Sequence, residues 1–210
     1  MTEGRFISFE GGEGVGKSTQ ARALAAALDK RGISCIVTRE PGGSPGAEEV
    51  RKLLVEGAPG RWEPLSETLL LYAARADHVA HTIKPAIAHG RWVLCDRFAD
   101  STYAYQGAGR GLDRETVRRI EAIAIADFKP EMTFVLDLPA EQGLERADAR
   151  ASVETRFEQF DIGFHERLRQ AFLDIARRAP DRCIVIDASQ DEKAVARAIW
   201  AAVASRFGLS

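Results

Sequence analysis

Short apolar runs alternate with longer amphipathic segments along this chain. Runs rich in β-branched and aromatic residues predict five strands, at residues 6–9, 34–38, 92–95, 133–138 and 183–186. In the longer segments apolar residues recur every three to four positions, which predicts helices at about residues 17–30, 47–56, 66–88, 114–126, 140–147, 158–178 and 192–207. Strands that alternate with helices favour a three-layer α/β/α fold, in which helices cover both faces of a central parallel sheet.

Length and composition indicate one domain without a strongly charged surface. The chain has 210 residues, 45% of them hydrophobic, which suits a single domain over residues 1–210. Its 29 basic and 31 acidic residues give a net charge of −2, so the overall field gives no reason to expect nucleic acid or a membrane as a partner. The first residues enter a strand without a long apolar leader, and no later run approaches the length of a membrane span. We therefore expect a cytoplasmic protein.

A glycine-rich motif follows the first strand and opens the first helix. Residues 11–18 read G-G-E-G-V-G-K-S, which matches the P-loop pattern G-x-x-x-x-G-K-[ST] in the strand–loop–helix setting that this pattern requires. Glycines let successive backbone N–H groups surround phosphate oxygens, and the helix N-terminus adds the positive end of its dipole. The residues expected to bind the nucleotide are Gly11, Gly12, Glu13, Gly14, Val15, Gly16, Lys17, Ser18 and Thr19.

Within this motif Lys17 is expected to bridge the outer phosphates and Ser18 to coordinate Mg²⁺. The alternative is a glycine-rich turn in which the serine only caps a helix. GTP-binding switch proteins usually carry an Asn-Lys-x-Asp motif, and this sequence contains no asparagine, which favours ATP. Asp96 ends the third predicted strand, where a carboxylate can hold Mg²⁺ through water; the alternative is a structural helix cap.

Four arginines occupy strand ends or adjacent helices, where an open α/β sheet binds its ligands. They are Arg39, Arg51, Arg75 and Arg97. Planar guanidinium groups can hold a phosphate with paired, charge-assisted hydrogen bonds. On spacing alone, Arg51 also fits a solvated helix face, and Arg97 also fits a strand-end ion pair with Asp96.

Two more motifs carry a resemblance to a known family. T-R-E-P-G-G at residues 38–43 follows the second strand, and D-R-F-A-D-S-T-Y-A-Y-Q-G at residues 96–107 follows the third. Together with the P-loop they resemble the thymidylate kinases, which transfer a phosphoryl group from ATP to dTMP in the synthesis of dTTP. The resemblance spans nearly the whole chain and implies a P-loop NTPase fold, Mg²⁺ and a homodimer. It implies an acceptor site formed by Glu13, Arg39, Glu40, Pro41, Arg51, Leu71, Arg75, Arg97, Thr102, Tyr105 and Gln106.

The same resemblance assigns roles to several of these residues. It places Arg51 and Arg97 on the phosphate of dTMP and Arg75 on the edge of the thymine. Thr102 and Gln106 would contact the base or the sugar.

Three other positions receive more specific expectations. Tyr105 would lie against the sugar and disfavour a 2′-hydroxyl. Glu13 would accept a hydrogen bond from the 3′-hydroxyl or help order Mg²⁺, and its alternative is a solvated side chain. Leu71 stands where the family often has a phenylalanine that stacks on the base, so base stacking is not assured here.

A basic segment at about residues 143–157 is expected to form a small mobile lid. Arg146 and Arg150 lie four residues apart and project from one helix face, and Arg156 follows across a polar stretch. A basic lid supplies positive charge to the migrating phosphoryl group and excludes water. The alternative is a charged helix face in solvent. Members of the family place a catalytic arginine in the P-loop or in the lid; this P-loop has none, so the resemblance implies catalysis by the lid arginines, Arg150 first, together with Lys17 and Arg97.

The remaining features receive structural interpretations or leave rivals open. His78 and His81 lie three residues apart on a predicted helix and are expected on its solvated or interface face. Cys35, Cys95 and Cys183 lie in apolar runs and are expected to be buried thiols. Apolar positions between residues 69 and 79 are candidates for a homodimer interface. Two rival functions are a kinase for another pyrimidine monophosphate or a deoxynucleoside, and a P-loop regulatory protein that hydrolyses nucleotide slowly.

Overall fold

Five parallel strands form the central sheet in the order β2-β3-β1-β4-β5. The computed structural model describes residues 3–58, 60–149 and 158–209. Its strands are β1 (Phe6–Glu10), β2 (Cys35–Arg39), β3 (Trp92–Asp96), β4 (Met132–Asp137) and β5 (Cys183–Asp187). All neighbouring pairs are parallel, which confirms the parallel sheet that the apolar runs predicted.

Helices cover both faces of this sheet. They are α1 (Lys17–Asp29), α2 (Pro45–Val55), α3 (Pro64–His78), α4 (Lys84–Ala88), α5 (Ala99–Thr102), α6 (Arg114–Ile125), α7 (Ala140–Asp148), α8 (Ile162–Arg178) and α9 (Glu192–Phe207). Helices α1 and α9 bury apolar side chains against one face of the sheet. Helices α3, α4, α6 and α8 cover the other face, and α2 packs on α3.

Side chains of β1 alternate between the two faces of the sheet, so burying them requires a helix layer on each face. Ile7 and Phe9 point into the core beneath α1 and α9, whereas Phe6 points to the opposite layer. Ser8 and Glu10 share the face of Phe6 and are fully buried. The Ser8 hydroxyl is satisfied by the Thr133 hydroxyl at 2.7 Å. Two buried polar side chains of β1 therefore face the layer that contains the helices after β3.

The predicted helix at 66–88 is one helical run with a change of pitch. Helix α3 continues through a π-helical segment, Val79–Ile83, into α4. Pro85 lacks the N–H that would bond to residue 81, and the preceding Lys84 N–H instead reaches the Val79 carbonyl, five residues back. Val79 is buried here, so the expected dimer surface at residues 69–79 is wrong at that end.

The segment after β3, where the sequence pattern predicted neither a helix nor a strand, is helical. Helix α5 is followed by a second π-helical segment, Tyr103–Gly109. Ala104 and Tyr105 are buried against Phe164 and Phe172 of α8. Tertiary packing thus orders a stretch whose polar and glycine-rich sequence reads as a loop.

The N-terminus of α8 also differs from the prediction. It begins at Ile162 and not at residue 158, because the Asp161 carboxylate accepts a hydrogen bond from the Phe164 N–H at 2.8 Å and caps the helix. Across the described residues, no helix has both the length and the apolar character needed to cross a bilayer.

Candidate active site at the carboxyl edge of the sheet

The loop after β1, here called the cradle, is a glycine-rich turn that curls around the Lys17 side chain. Gly11, Gly14 and Gly16 adopt φ values of 133°, 67° and 94°, which L side chains rarely tolerate. Lys17 begins α1, and its ammonium donates to the Gly12 carbonyl at 2.6 Å and the Gly11 carbonyl at 3.3 Å. The loop thus holds its lysine inside the turn that would surround phosphate oxygens.

The backbones of the P-loop and of α7, the helix that contains the start of the predicted lid, are in close contact. A Cβ on Gly14 would lie 1.8 Å from the Gly143 carbonyl oxygen, and a Cβ on Gly143 would lie 2.5 Å from the Glu13 carbonyl oxygen. Both positions therefore require glycine, and α7 rests directly on the P-loop backbone. Val15 packs into the apolar core, and Thr19 lies in the first turn of α1.

A hydroxyl and a carboxylate meet beside the lysine. The Ser18 hydroxyl donates to Asp96 at the end of β3. Burial, reinforced by the Arg97 charge, lowers the pKa of Lys17 to about 8. Two hard oxygen donors and a cation thus lie together at the mouth of the cradle.

A second cavity opens beside the cradle. It is a partly open cleft with an internal volume of about 140 Å³. Its lining comprises Glu13, Glu40, Pro41, Arg51, Val55, Leu71, Arg75, Arg97, Ser101, Thr102, Tyr105, Gln106 and Glu158. All but one of the residues that the resemblance assigned to the acceptor are in this wall. The exception, Arg39, lies in the wall of the cradle cavity and pairs with Glu48 at 3.2 Å.

Arg97 connects the cradle to the second cavity. It adopts a φ of 69°, and its guanidinium donates to the Gly11 carbonyl at 3.0 Å and to Glu13 at 2.9 Å. The Tyr105 hydroxyl donates to the same Glu13 oxygen at 2.7 Å. Burial alone would raise the pKa of Glu13, but the charges of Arg97 and Lys17 outweigh it and lower this pKa to about 2. Glu13 is therefore a partly buried, ionised carboxylate held by two partners, and the alternative of a solvated side chain that points away is wrong.

Arg75 lies at the other end of the cavity in a fixed orientation. It donates to Glu40 at 2.6 Å, to the Thr102 hydroxyl at 3.0 Å and to the Phe98 carbonyl at 3.1 Å. Burial would lower the pKa of Arg75, but the Glu40 carboxylate raises it. The guanidinium therefore stays charged.

His78 corrects one sequence-based expectation. It is fully buried, and its ring bonds to Glu40 at 3.1 Å and to the Thr38 hydroxyl at 2.8 Å. Only His81 lies on the solvent face, with 65% of its side chain exposed. The burial of His78 could not be predicted from helical spacing, which does not show which face of α3 turns toward the sheet. The available signal was its position one helical turn after Arg75.

Leu71 and Tyr72 divide the roles that the sequence left open. Leu71 lines the cavity. Tyr72 is buried in the core, its ring lies 4.6 Å from the Arg75 guanidinium, and its hydroxyl donates to Glu121. The adjacent aromatic therefore supports Arg75 from behind and does not replace the stacking ring.

Two buried carboxylates near the site were not anticipated. Glu10 accepts hydrogen bonds from the Phe98 N–H at 2.7 Å and the Ser101 hydroxyl at 2.6 Å, and burial, with the Asp100 charge, raises its pKa to about 8. Glu67 on α3 binds the Gln106 carboxamide at 2.8 Å. The sequence signal for both was an isolated acidic residue, which lies inside a buried strand for Glu10 and on the apolar face of a helix for Glu67.

Of the three predicted lid arginines, only Arg146 is among the residues that the structure describes. Arg146 on α7 donates to the Ala188 carbonyl at 3.1 Å, beyond the end of β5, and lines neither cavity described above. Arg150 and Arg156 lie outside the described residues. Arg51 donates to the Pro41 carbonyl, which holds α2 beside the second cavity.

Comparisons with known proteins agree on one family. The family model described as thymidylate kinase matches residues 9–199. The chain is 56% identical over 209 residues to a thymidylate kinase of Caulobacter vibrioides, covering 100% of both chains. It is 55% identical over 197 residues to a thymidylate kinase of Dinoroseobacter shibae, covering 93% of this chain and 95% of that one.

A solved structure gives the same result in three dimensions. The crystal structure of thymidylate kinase from Ehrlichia chaffeensis superposes with a TM-score of 0.75 at 34% identity, covering 95% of this chain and 98% of that one. The parallel sheet with its P-loop, the cavity beside that loop and these matches lead to one conclusion: the chain belongs to the thymidylate kinase family.

Proposed function

We propose that this protein transfers the γ-phosphoryl group of Mg-ATP to dTMP, giving dTDP and ADP. The observation that carries the proposal is the contact between the two cavities: Glu13, Glu40, Arg51 and Arg97 line both the cradle and the second cavity beside it. Two nucleotides bound there would meet phosphate to phosphate, which is the alignment that phosphoryl transfer needs. Family membership supports dTMP as the acceptor.

On the donor side, Lys17 and the backbone of residues 11–16 would hold the triphosphate of ATP. Ser18 and Asp96 supply the oxygen ligands that Mg²⁺ prefers, and their contact with each other brings both within reach of one ion. Their chemistry therefore fits a magnesium site. A bound Mg²⁺ would neutralise phosphate charge there.

On the acceptor side, the arginines at the junction would bind the phosphate of dTMP. Arg97 faces that junction with a fixed guanidinium, and Arg51 and Arg39 add charge from α2 and from the end of β2. Glu13 accepts from Arg97 and Tyr105 through Oε1, so these bonds leave Oε2 for the sugar 3′-hydroxyl. Tyr105 would thus be held against the sugar.

At the base end, Arg75 and Gln106 complement thymine. An arginine has five N–H donors, and three of those on Arg75 bind Glu40, Thr102 and Phe98. The others suit the O4 carbonyl of thymine. Leu71 gives apolar contact to the ring, in the place where many relatives stack a phenylalanine.

The lid would complete the site by adding positive charge to the migrating phosphoryl group. Arg146 holds α7 on the loop after β5. We assign the catalytic role to Arg150, with Arg156 as its neighbour, in a lid at about 143–157. A cytoplasmic location, where nucleotides are made, stays a prediction.

The activity itself is tested by ADP release in the presence of single monophosphates. We expect dTMP to be the preferred acceptor, with dUMP and dCMP slower, because the polar groups at the base end match a 2,4-dioxopyrimidine with its methyl group against Leu71. The measurement is a coupled assay of kcat/KM for each acceptor at saturating Mg-ATP. Faster turnover of dCMP would identify another monophosphate kinase, and ADP release without any acceptor would indicate a slow nucleotide hydrolase.

Replacing Glu13 is expected to impair the acceptor far more than ATP. In Glu13→Ala, Arg97 and Tyr105 lose their shared partner, so kcat/KM for dTMP falls by about 10- to 100-fold while the Kd for ATP changes by less than about threefold. Steady-state kinetics and calorimetric titration of ATP measure the two effects. Glu192→Ala, on the exposed first turn of α9, is the matched control. Weaker ATP binding with unchanged dTMP kinetics would contradict the assigned role.

Arg150 is expected to act in the transition state. Arg150→Ala lowers kcat by roughly 10²-fold, equivalent to about 3 kcal/mol, with small changes in either KM, because charge on the migrating group develops only during transfer. Arg167→Ala, an exposed arginine of α8, serves as the control and leaves kcat unchanged. A loss confined to KM would reassign Arg150 to substrate binding.

The homodimer is expected to form through α3 and α6. Leu65, Leu69 and Ile123 are exposed to 46%, 52% and 88% on these adjacent helices, an apolar surface of the kind that a partner covers. We expect sedimentation velocity to give a dimer for the wild type and a monomer for Leu69→Asp/Ile123→Asp. A wild-type monomer at micromolar concentration would rule out this interface.

A further inference from the structure

Glu67 is a buried acid next to the wall of the second cavity. It lies on the first turn of α3 and is fully buried. Its Oε1 accepts from the Gln106 carboxamide at 2.8 Å and pairs with the Arg110 guanidinium at 3.1 Å. Gln106 lines that cavity and Glu67 does not, so the acid stands behind the wall. Burying a carboxylate is costly unless charge and hydrogen bonds compensate it, so a pair of this kind behind the wall of a cavity requires an explanation.

Arg110 anchors this acid from the end of the second π-helical segment. Its other terminal nitrogen donates to the Trp62 carbonyl at 2.7 Å, just before α3 begins. The guanidinium thus ties α3 to the segment that carries Gln106. The carboxylate and the carboxamide are held at a fixed separation by two different elements of the fold.

The contact fixes which side of the carboxamide faces Glu67. An ionised carboxylate only accepts hydrogen bonds, so it selects the NH₂ side of Gln106. The carboxamide oxygen points the other way. This oxygen is buried and has no hydrogen-bond partner among the residues that the structure describes, and Gln106 lines the second cavity. A buried acceptor of this kind is set for a donor that arrives with a ligand.

We propose that Glu67 is a positioning residue that fixes Gln106 with its oxygen toward the acceptor base and thereby selects pyrimidines that carry a proton on N3. The inference rests on the proposed function. Thymine presents N3–H as a donor and O4 as an acceptor, which match the Gln106 oxygen and the donors of Arg75. Cytosine presents the reverse, an unprotonated N3 and an amino group, so both contacts become repulsive. Without Glu67 the carboxamide can rotate and present its NH₂ to cytosine.

The test compares two acceptors within one preparation. For Glu67→Gln, the ratio of kcat/KM for dTMP to kcat/KM for dCMP is expected to fall at least about tenfold, because glutamine at 67 accepts either side of the Gln106 carboxamide. The ratio is unaffected by the fraction of folded enzyme, which cancels. Glu63→Gln removes an exposed acid just before α3 and is expected to leave the ratio unchanged. A smaller fall for Glu67→Gln, or an equal loss with both acceptors, overturns the proposal.

A reciprocal exchange tests the direction of the hydrogen bond. In Glu67→Gln/Gln106→Glu, the acid at 106 presents only acceptor oxygens to the base while the amide at 67 donates to it. The double variant is expected to regain at least about tenfold of the discrimination lost in Glu67→Gln. A double variant no more selective than Glu67→Gln overturns the proposal. If the wild type itself does not prefer dTMP to dCMP, the proposed function fails before any variant is compared.

Discussion

The bond between Arg97 and Glu13 joins the two halves of the site. Glu13 belongs to the loop after β1 and Arg97 to the end of β3, and parallel pairing brings both to the same edge of the sheet. The same guanidinium holds the Gly11 carbonyl, so Arg97 contacts both the glycine-rich loop and the wall of the second cavity. The two side chains are only 15% and 20% exposed, so their charges attract each other more strongly than in open water.

Buried acids form hydrogen bonds that hold the residues around this junction in place. Glu10 holds the backbone of Phe98 and the hydroxyl of Ser101, which fixes the turn that follows Arg97. Glu40 orients Arg75 and accepts from His78. A guanidinium that is already hydrogen-bonded loses little freedom when a ligand arrives, so the acids preorganise the site for a substrate rich in phosphate and carbonyl oxygens.

The sequence predicts the chemical elements of the site better than their support. The P-loop, Asp96 and the T-R-E-P-G-G motif stand next to strands, so their place at one edge follows from the alternation of strands and helices. His78, Glu10 and Glu67 lie inside a helix or a strand, where the pattern shows only an isolated polar residue. Their partners come from segments 38 to 91 residues away along the chain, and no local pattern encodes such pairs.

The sequence by itself determined the layered fold and the glycine-rich loop, because periodicity and glycine placement act over a few neighbouring residues. The residues of the cavity wall were expected from the resemblance to the thymidylate kinases. Only the tertiary structure decided that residues 99–109 are helical, that His78 faces inward, and that Glu67 turns the Gln106 carboxamide. Each of these depends on burial against a distant element: α8 for the helical segment, β2 for the histidine and α3 for the carboxamide. Burial makes an unsatisfied polar group costly, and that cost selects one orientation from several that the sequence permits.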